Sequence, residues 1–272
     1  MQKCSSTMHS RAKNTGAVEP PSGVLWSKIK QPQFYWFLGH FLTLYHYGCY
    51  TLSFRQAAIR YQYGSILFYV AVTYGIVLYQ FYKSGQLKPS TLKVQIRTLD
   101  NLQYFVLTLV LWTCRHAKII STATMSPVIF ALFHSINYFK ESLLPLLPLQ
   151  AATKTALAGR ISFFITNYNE RFLMIAQNSE FVTLVQVLLL LPVDCTVLLL
   201  RFTTTNLLKV LAVVTYAWFF KLRYLQSPQM KAMVHTYDVR ADQLVRQSLP
   251  QLLPYWLHVK HLVLRFFKVI PC

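Results

Sequence analysis

Apolar positions along the chain gather into six stretches, at about 34–54, 65–82, 101–114, 119–138, 181–200 and 207–220, separated by polar and mostly basic segments. A bilayer crossing takes about 20 apolar residues at 1.5 Å each. The first, fourth and fifth stretches have that length, the second and sixth approach it, and the third is short. Short stretches cross by thinning the bilayer, or fold as hairpins that never reach the far side. The pattern predicts an all-α polytopic integral membrane protein with about 4–6 membrane helices or hairpins, plus amphipathic interfacial helices. Its organisation reads as a polar cytosolic tail over 1–33, a membrane domain over 34–220 and a cytosolic C-terminal region over 221–272.

Three further segments have helical rather than spanning patterns. In 161–181, Ile161, Phe164, Ile165, Tyr168 and Phe172 recur at helical spacing while Asn167, Glu170 and Arg171 fall elsewhere, which predicts an interfacial helix. In 230–249 the same spacing joins Met230, Met233, Val234, Tyr237, Ala241 and Leu244, with Asp242 and Arg246 placed as an i,i+4 pair. Pro250 and Pro254 then interrupt the chain before 255–270. There, at 100° per residue, Trp256, Val259, Leu262, Val263, Phe266, Phe267, Val269 and Ile270 fall within about 160° of arc. His258, His261, Arg265 and Lys268 lie opposite within about 80°, and Lys260 sits near the apolar edge, where its stem could snorkel. An aromatic apolar face against a basic stripe is the pattern of a helix lying in a membrane surface. The residues expected to bind membrane are Trp256, Val259, Leu262, Val263, Phe266, Phe267, Arg265 and Lys268. The competing expectation is that this helix packs on the protein's own bundle.

Composition sharpens the class. Hydrophobic residues make up 54% and charged residues 13%, about half the charge of a soluble domain. The 27 Lys and Arg against 8 Asp and Glu give a formal charge of +19, which taken alone allows a nucleic-acid partner. With six spans and a cytosolic N-terminus, 21 of the 27 basic residues fall on the cytosolic side and 6 on the other, the positive-inside bias. Shallow hairpins would leave all 27 in the cytosol, so both termini are cytosolic either way. The excess therefore reads as topology and attraction to a lipid bilayer with anionic headgroups, with no nucleic acid as partner. Residues 1–33 contain no apolar h-region, so no cleaved signal peptide is expected.

Chemistry is sparse. The chain has no GxxxxGK(S/T), GxGxxG, HExxH or GxSxG motif, and its five cysteines are scattered singly. No catalytic residue, cofactor or metal is predicted, and the chain reads as no enzyme. Asp194, two residues after Pro192 in the fifth stretch, is an intramembrane carboxylate and so a functional-site hypothesis by default. A structural role is favoured, with Pro192 marking a hairpin apex or a loop near the interface. The alternative, a membrane-embedded lipid-modifying enzyme or transporter, requires Asp194 to adjoin a histidine such as His134. A third reading is a scaffold subunit of a larger membrane complex.

Five short motifs, in order, resemble those of the transmembrane protein 33 family, closest to its fungal pore-and-ER membrane protein branch. They are Asp100-Asn101-Leu102-Gln103-Tyr104, the run Pro127 to Ser135 ending at Tyr138, Thr166-Asn167-Tyr168, Asn178-Ser179-Glu180-Phe181, and Leu222-Arg223-Tyr224-Leu225-Gln226-Ser227-Pro228. None is catalytic; their order and spacing carry the likeness, best between about 60 and 245. The resemblance implies a non-enzymatic protein of the endoplasmic reticulum membrane and nuclear envelope. It implies a role in tubular ER and in nuclear pore distribution or biogenesis, and reticulon-type shaping proteins, nucleoporins or an import receptor as partners. It also implies C-terminal amphipathic helices that meet curved membrane. The segment 192–209, with Asp194 and Thr203-Thr204-Thr205-Asn206, is long for the family.

Overall fold

The computed structural model describes residues 26–271, and eight long α-helices carry them. α1 (Pro32–Thr51), α2 (Gln56–Lys83), α3 (Asp100–Cys114), α4 (Met125–Tyr138), α5 (Ala151–Leu200) and α6 (Thr204–Gln226) take up the six apolar stretches. α7 (Pro228–Ser248) and α8 (Leu253–Val269) follow. No strand occurs among the described residues. The helix starts have local causes. Pro32 and Pro228 open α1 and α7, where a missing N–H costs nothing. Thr203 Oγ accepts the N–H of Asn206 at 3.2 Å and Ser227 Oγ that of Met230 at 3.1 Å, capping α6 and α7.

The first six helices form a closed ring in the order α1, α2, α3, α6, α5, α4 and back to α1. Cross-helix contacts show each neighbour antiparallel to the next. His46 meets Gln62 while Gly39 meets Thr73 (α1 and α2); Gly64 meets Arg115 while Tyr74 stacks on Tyr104 (α2 and α3). Thr122, in the turn that leads into α4, meets Gln186 while Phe133 of α4 meets Phe172 (both partners on α5). Phe37 stacks on Tyr138 while Tyr47 reaches Met125 (α1 and α4). Gly39 is required for its contact: a Cβ there would lie 2.6 Å from Thr73 Cγ2. Small residues at helix crossings let backbones approach in this way. The interior holds Tyr63, Leu67, Leu107, Leu111, Val187, Val213, Tyr216 and Phe219. The outer surface is also apolar, with Phe41, Phe68, Leu189 and Leu199 exposed, as suits a bundle facing lipid rather than water. Among the described residues α2, α5 and α6 are long and apolar enough to cross a membrane.

Two sequence expectations change here. The interfacial helix at 161–181 and the span at 181–200 are one 50-residue helix, α5, about 75 Å long against roughly 30 Å of hydrocarbon. The polar junction at 178–180 does not break it because each side chain finds a partner. Asn178 accepts from Tyr237, Ser179 bonds the Ala176 carbonyl, and Glu180 faces the ring interior. The stripe of Phe164 and Phe172 lies against Phe133 of α4, with ring centroids 5.7 and 5.2 Å away. Pro192 is likewise inside α5 rather than at a hairpin apex. Beyond the sixth apolar stretch α6 continues to Gln226.

Candidate functional site

α8 starts at Leu253, since Pro254 is accommodated in its first turn. The helix folds back onto α7 and the end of α6. Trp256 Nε1 donates to Asp242 Oδ1 at 2.6 Å, and Lys260 Nζ reaches Asp242 Oδ2 at 3.0 Å and Asp238 Oδ1 at 2.7 Å. Lys221 of α6 donates to the carbonyls of Phe267 and Ile270 at 2.7 and 2.6 Å. Ile270 is buried, with Phe266 and Phe267 packed on the same core. The indole N–H of Trp256, then Lys260, hold the Asp242 carboxyl below the usual range. Burial works to lower the Lys260 ammonium, but its bonds to Asp238 and Asp242 prevail and raise it. Lys260 is thus a docking residue, not a snorkelling one, and Asp242 pairs across helices instead of with Arg246.

The predicted apolar face divides into two strips. Trp256, Val263, Phe267 and Ile270 share a seam with Lys260, within about 80° of arc, that is half-buried or buried against the protein. Beside it Val259 and Leu262, each 49% exposed, join Tyr255 and Val269 in an open apolar flank. Past that flank come His258, His261, Arg265 and Lys268, all exposed. Of the eight residues predicted to bind membrane, Val259, Leu262, Arg265 and Lys268 present themselves outward; Trp256, Val263, Phe266 and Phe267 are engaged wholly or partly with the chain itself.

Inside the ring lies a polar knot that the sequence reading missed. Glu180 of α5 is 3% exposed. Its Oε1 accepts from Ser126 Oγ at 2.7 Å and from the Tyr104 hydroxyl, and its backbone carbonyl accepts from Tyr216 at 3.2 Å. Arg223 of α6 places Nε 3.5 Å from Glu180 Oε2 and Nη1 3.0 Å from Asp100 Oδ2. The guanidinium also faces the Tyr104 ring at 5.6 Å, and Tyr74 stacks nearly parallel on that same ring with centroids 5.4 Å apart. Three of the five matching motifs therefore converge on one cluster, buried at Tyr104 and Glu180 and nearly so at Arg223, with Asp100 at its exposed rim. The available signal was that each motif carries a charged residue at the edge of an apolar stretch; spacing alone could not join positions so far apart.

The residues named for the alternative chemistry are separated. Asp194 forms an ion pair with Lys118. His134 sits with Trp36 and His40, ring centroids 4.9 and 5.0 Å away, on the α1–α4 side of the ring. Among the described residues no group of three His, Cys, Asp or Glu is placed to hold a metal ion.

A closed ring of antiparallel helices with an apolar outside, a buried ion-pair knot and a docked amphipathic helix defines a polytopic all-α membrane protein. The Transmembrane protein 33/Nucleoporin POM33 family signature matches residues 23–265, and the chain belongs to this family. It is 43% identical over 265 residues, 93% of this chain and 96% of the relative, to the pore and endoplasmic reticulum protein of 33 kDa of Saccharomyces cerevisiae. It is 28% identical to tetra-spanning protein 1 of Schizosaccharomyces pombe, over 81% of this chain and 78% of the relative. With the nucleoporin POM33 of Chaetomium thermophilum it shares 26% identity, over 87% and 86%. No solved structure matches the chain.

Proposed function

We propose that this chain is a non-enzymatic protein of the endoplasmic reticulum membrane and nuclear envelope that shapes or organises membrane, with both termini cytosolic. The observation that carries the reading is the surface of α8: an open apolar flank beside a basic stripe, on a helix whose other side is bolted to the bundle. Docking fixes the wedge relative to the spanning helices, so α8 enters one leaflet at a set position instead of roaming as a tethered peptide. The names of the relatives, a pore and ER protein and a nucleoporin, support the location and make nuclear pore proteins reasonable partners. The apolar flank supplies partitioning and the cations draw α8 to anionic headgroups, roughly 1 kcal/mol per basic residue near such a surface.

The test is a Val259→Glu, Leu262→Glu variant of the full chain, reconstituted into vesicles beside the wild type. Each substitution withdraws a half-exposed side chain, worth about 1 kcal/mol of partitioning, half of the full burial value. The variant should insert and purify normally yet lose the vesicle narrowing or tubulation seen by electron microscopy for the wild type. Equal remodelling by both proteins would overturn the role given to α8.

A further inference from the structure

At the end of the ring opposite α8, where α2 begins and α3 finishes, a cleft of about 720 Å³ opens between the two helices. Its charged lining is two arginines, Arg60 from α2 and Arg115 just past α3, with Gln56, Ser65 and His116 beside them. Its walls are aromatic, with Tyr61, Phe68 and Trp112. Among the described residues neither guanidinium meets a carboxylate, since every ion pair in the molecule is made by other residues. Arg115 is held in place. Its Nη1 donates to the Trp112 carbonyl at 2.7 Å and its guanidinium covers the Trp112 ring at 4.2 Å. Gly64 forms the notch beneath it: a Cβ there would stand 2.8 Å from Arg115 Cδ.

We propose that this cleft binds the headgroup of an anionic phospholipid, with the phosphate between Arg60 and Arg115 and an acyl chain lying along exposed Phe68. Guanidinium forks match phosphate oxygens in pairs. Aromatic side chains at this level suit the headgroup boundary. Charge chooses the lipid class. A zwitterionic headgroup would bring its ammonium to a lining of cations with no carboxylate to receive it, and Arg115 already occupies the face of Trp112 that could cradle choline. The lipid also answers why two arginines stand on the side that the positive-inside bias leaves poor in charge. The site is independent of the curvature reading of α8.

The experiment uses the full chain in detergent micelles and a fluorescent short-chain phosphatidic acid, with binding read by polarisation. Wild type should bind, phosphatidylcholine should fail to compete, and Arg60→Gln should weaken binding about tenfold, the loss of one charge-assisted contact. Arg60 is exposed, so that variant keeps the fold. Gly64→Ala should weaken binding through the displaced Arg115, while Arg60→Lys retains part of it. Arg201→Gln, an exposed arginine outside the cleft, should change nothing. Equal competition by phosphatidylcholine, or an Arg60→Gln affinity matching wild type, would overturn the proposal. Full displacement by inorganic phosphate would do so too, by making the cleft a free-anion site.

Discussion

Glu180 shows what a single residue contributes to a bundle that sits in lipid. A buried carboxylate is tolerated only when its charge is compensated. Here Ser126 and Tyr104 hydrogen-bond Oε1, while Arg223 faces Oε2 as an ion pair at 3.5 Å without a hydrogen bond. Replacing Glu180 with Gln keeps an acceptor for Ser126 and Tyr104 but turns an amide N–H toward the Arg223 guanidinium, donor against donor. Removing one partner of a buried pair costs about 3–5 kcal/mol. We expect Glu180→Gln and Arg223→Gln each to lower the unfolding temperature of the detergent-solubilised chain, and the double variant to cost less than their sum. Strict additivity of the two losses would mean the pair is not coupled. Nothing local announced this role. Glu180 stands at a polar-to-apolar junction that reads equally well as a helix end, and its partners lie 54, 76 and 43 residues away in sequence. Lys260 was illegible for the same reason: beside an apolar edge it looks like a snorkelling cation until α7 brings Asp238 and Asp242 to it.

At the scale of elements, the six apolar stretches were legible because apolar spacing alone places a helix in a membrane. Their ends were less so. α2 begins nine residues before its apolar stretch, at Gln56, because Gln62 is taken by His46 and Arg60 lies in an open cleft. α6 continues through Lys221 and Arg223 because α8 and the knot receive their charges. Periodicity likewise defines the apolar arc of α8, about 160° wide, but cannot say which part of it meets protein. The α7–α8 latch makes a pH prediction. The Asp242 carboxyl is held low, so docking gains from its ionisation above the ordinary carboxylate value of about 3.9 and loses that gain as pH falls through the lowered one. Protease cleavage in the Leu249–Pro254 connection, measured across acid pH on the full chain, should rise on acidification in the wild type. In Asp242→Asn it should already be high at neutral pH and change little with acid. A flat wild-type profile would show that Asp242 does not hold the latch.

For the whole molecule, the alternation of the ring and the distribution of charge make one statement about topology. Antiparallel neighbours put the segments 52–55, 115–124 and 201–203 at one end and 84–99, 139–150 and the start of α7 at the other. The first end carries the six basic residues Arg55, Arg60, Arg115, Lys118, Arg201 and Lys209, of which Lys118 is neutralised by Asp194. The second end carries nearly all the rest, including Lys83, Lys88, Lys93 and Arg97 in one short connection. On the proposed topology a ring spanning the bilayer exposes the poorly charged end to the lumen, whereas shallow hairpins would keep both ends in the cytosol. The chain contains no Asn-x-Ser/Thr acceptor, so glycan mapping starts from a silent background. Acceptor cassettes with flexible spacers inserted at 52–55 and at 201–203 should each gain an endoglycosidase-sensitive glycan when the chain is made in ER membranes. The same cassette at 84–91 should gain none, because the basic connection stays where ribosomes and anionic headgroups are. Modification at 84–91 alone would reverse the ends, and modification of none would replace spanning helices by hairpins confined to the cytosolic leaflet. The latter outcome would also move Arg60 and Arg115 to the cytosolic surface, which leaves the phosphate chemistry of their cleft intact but changes the leaflet that supplies its lipid.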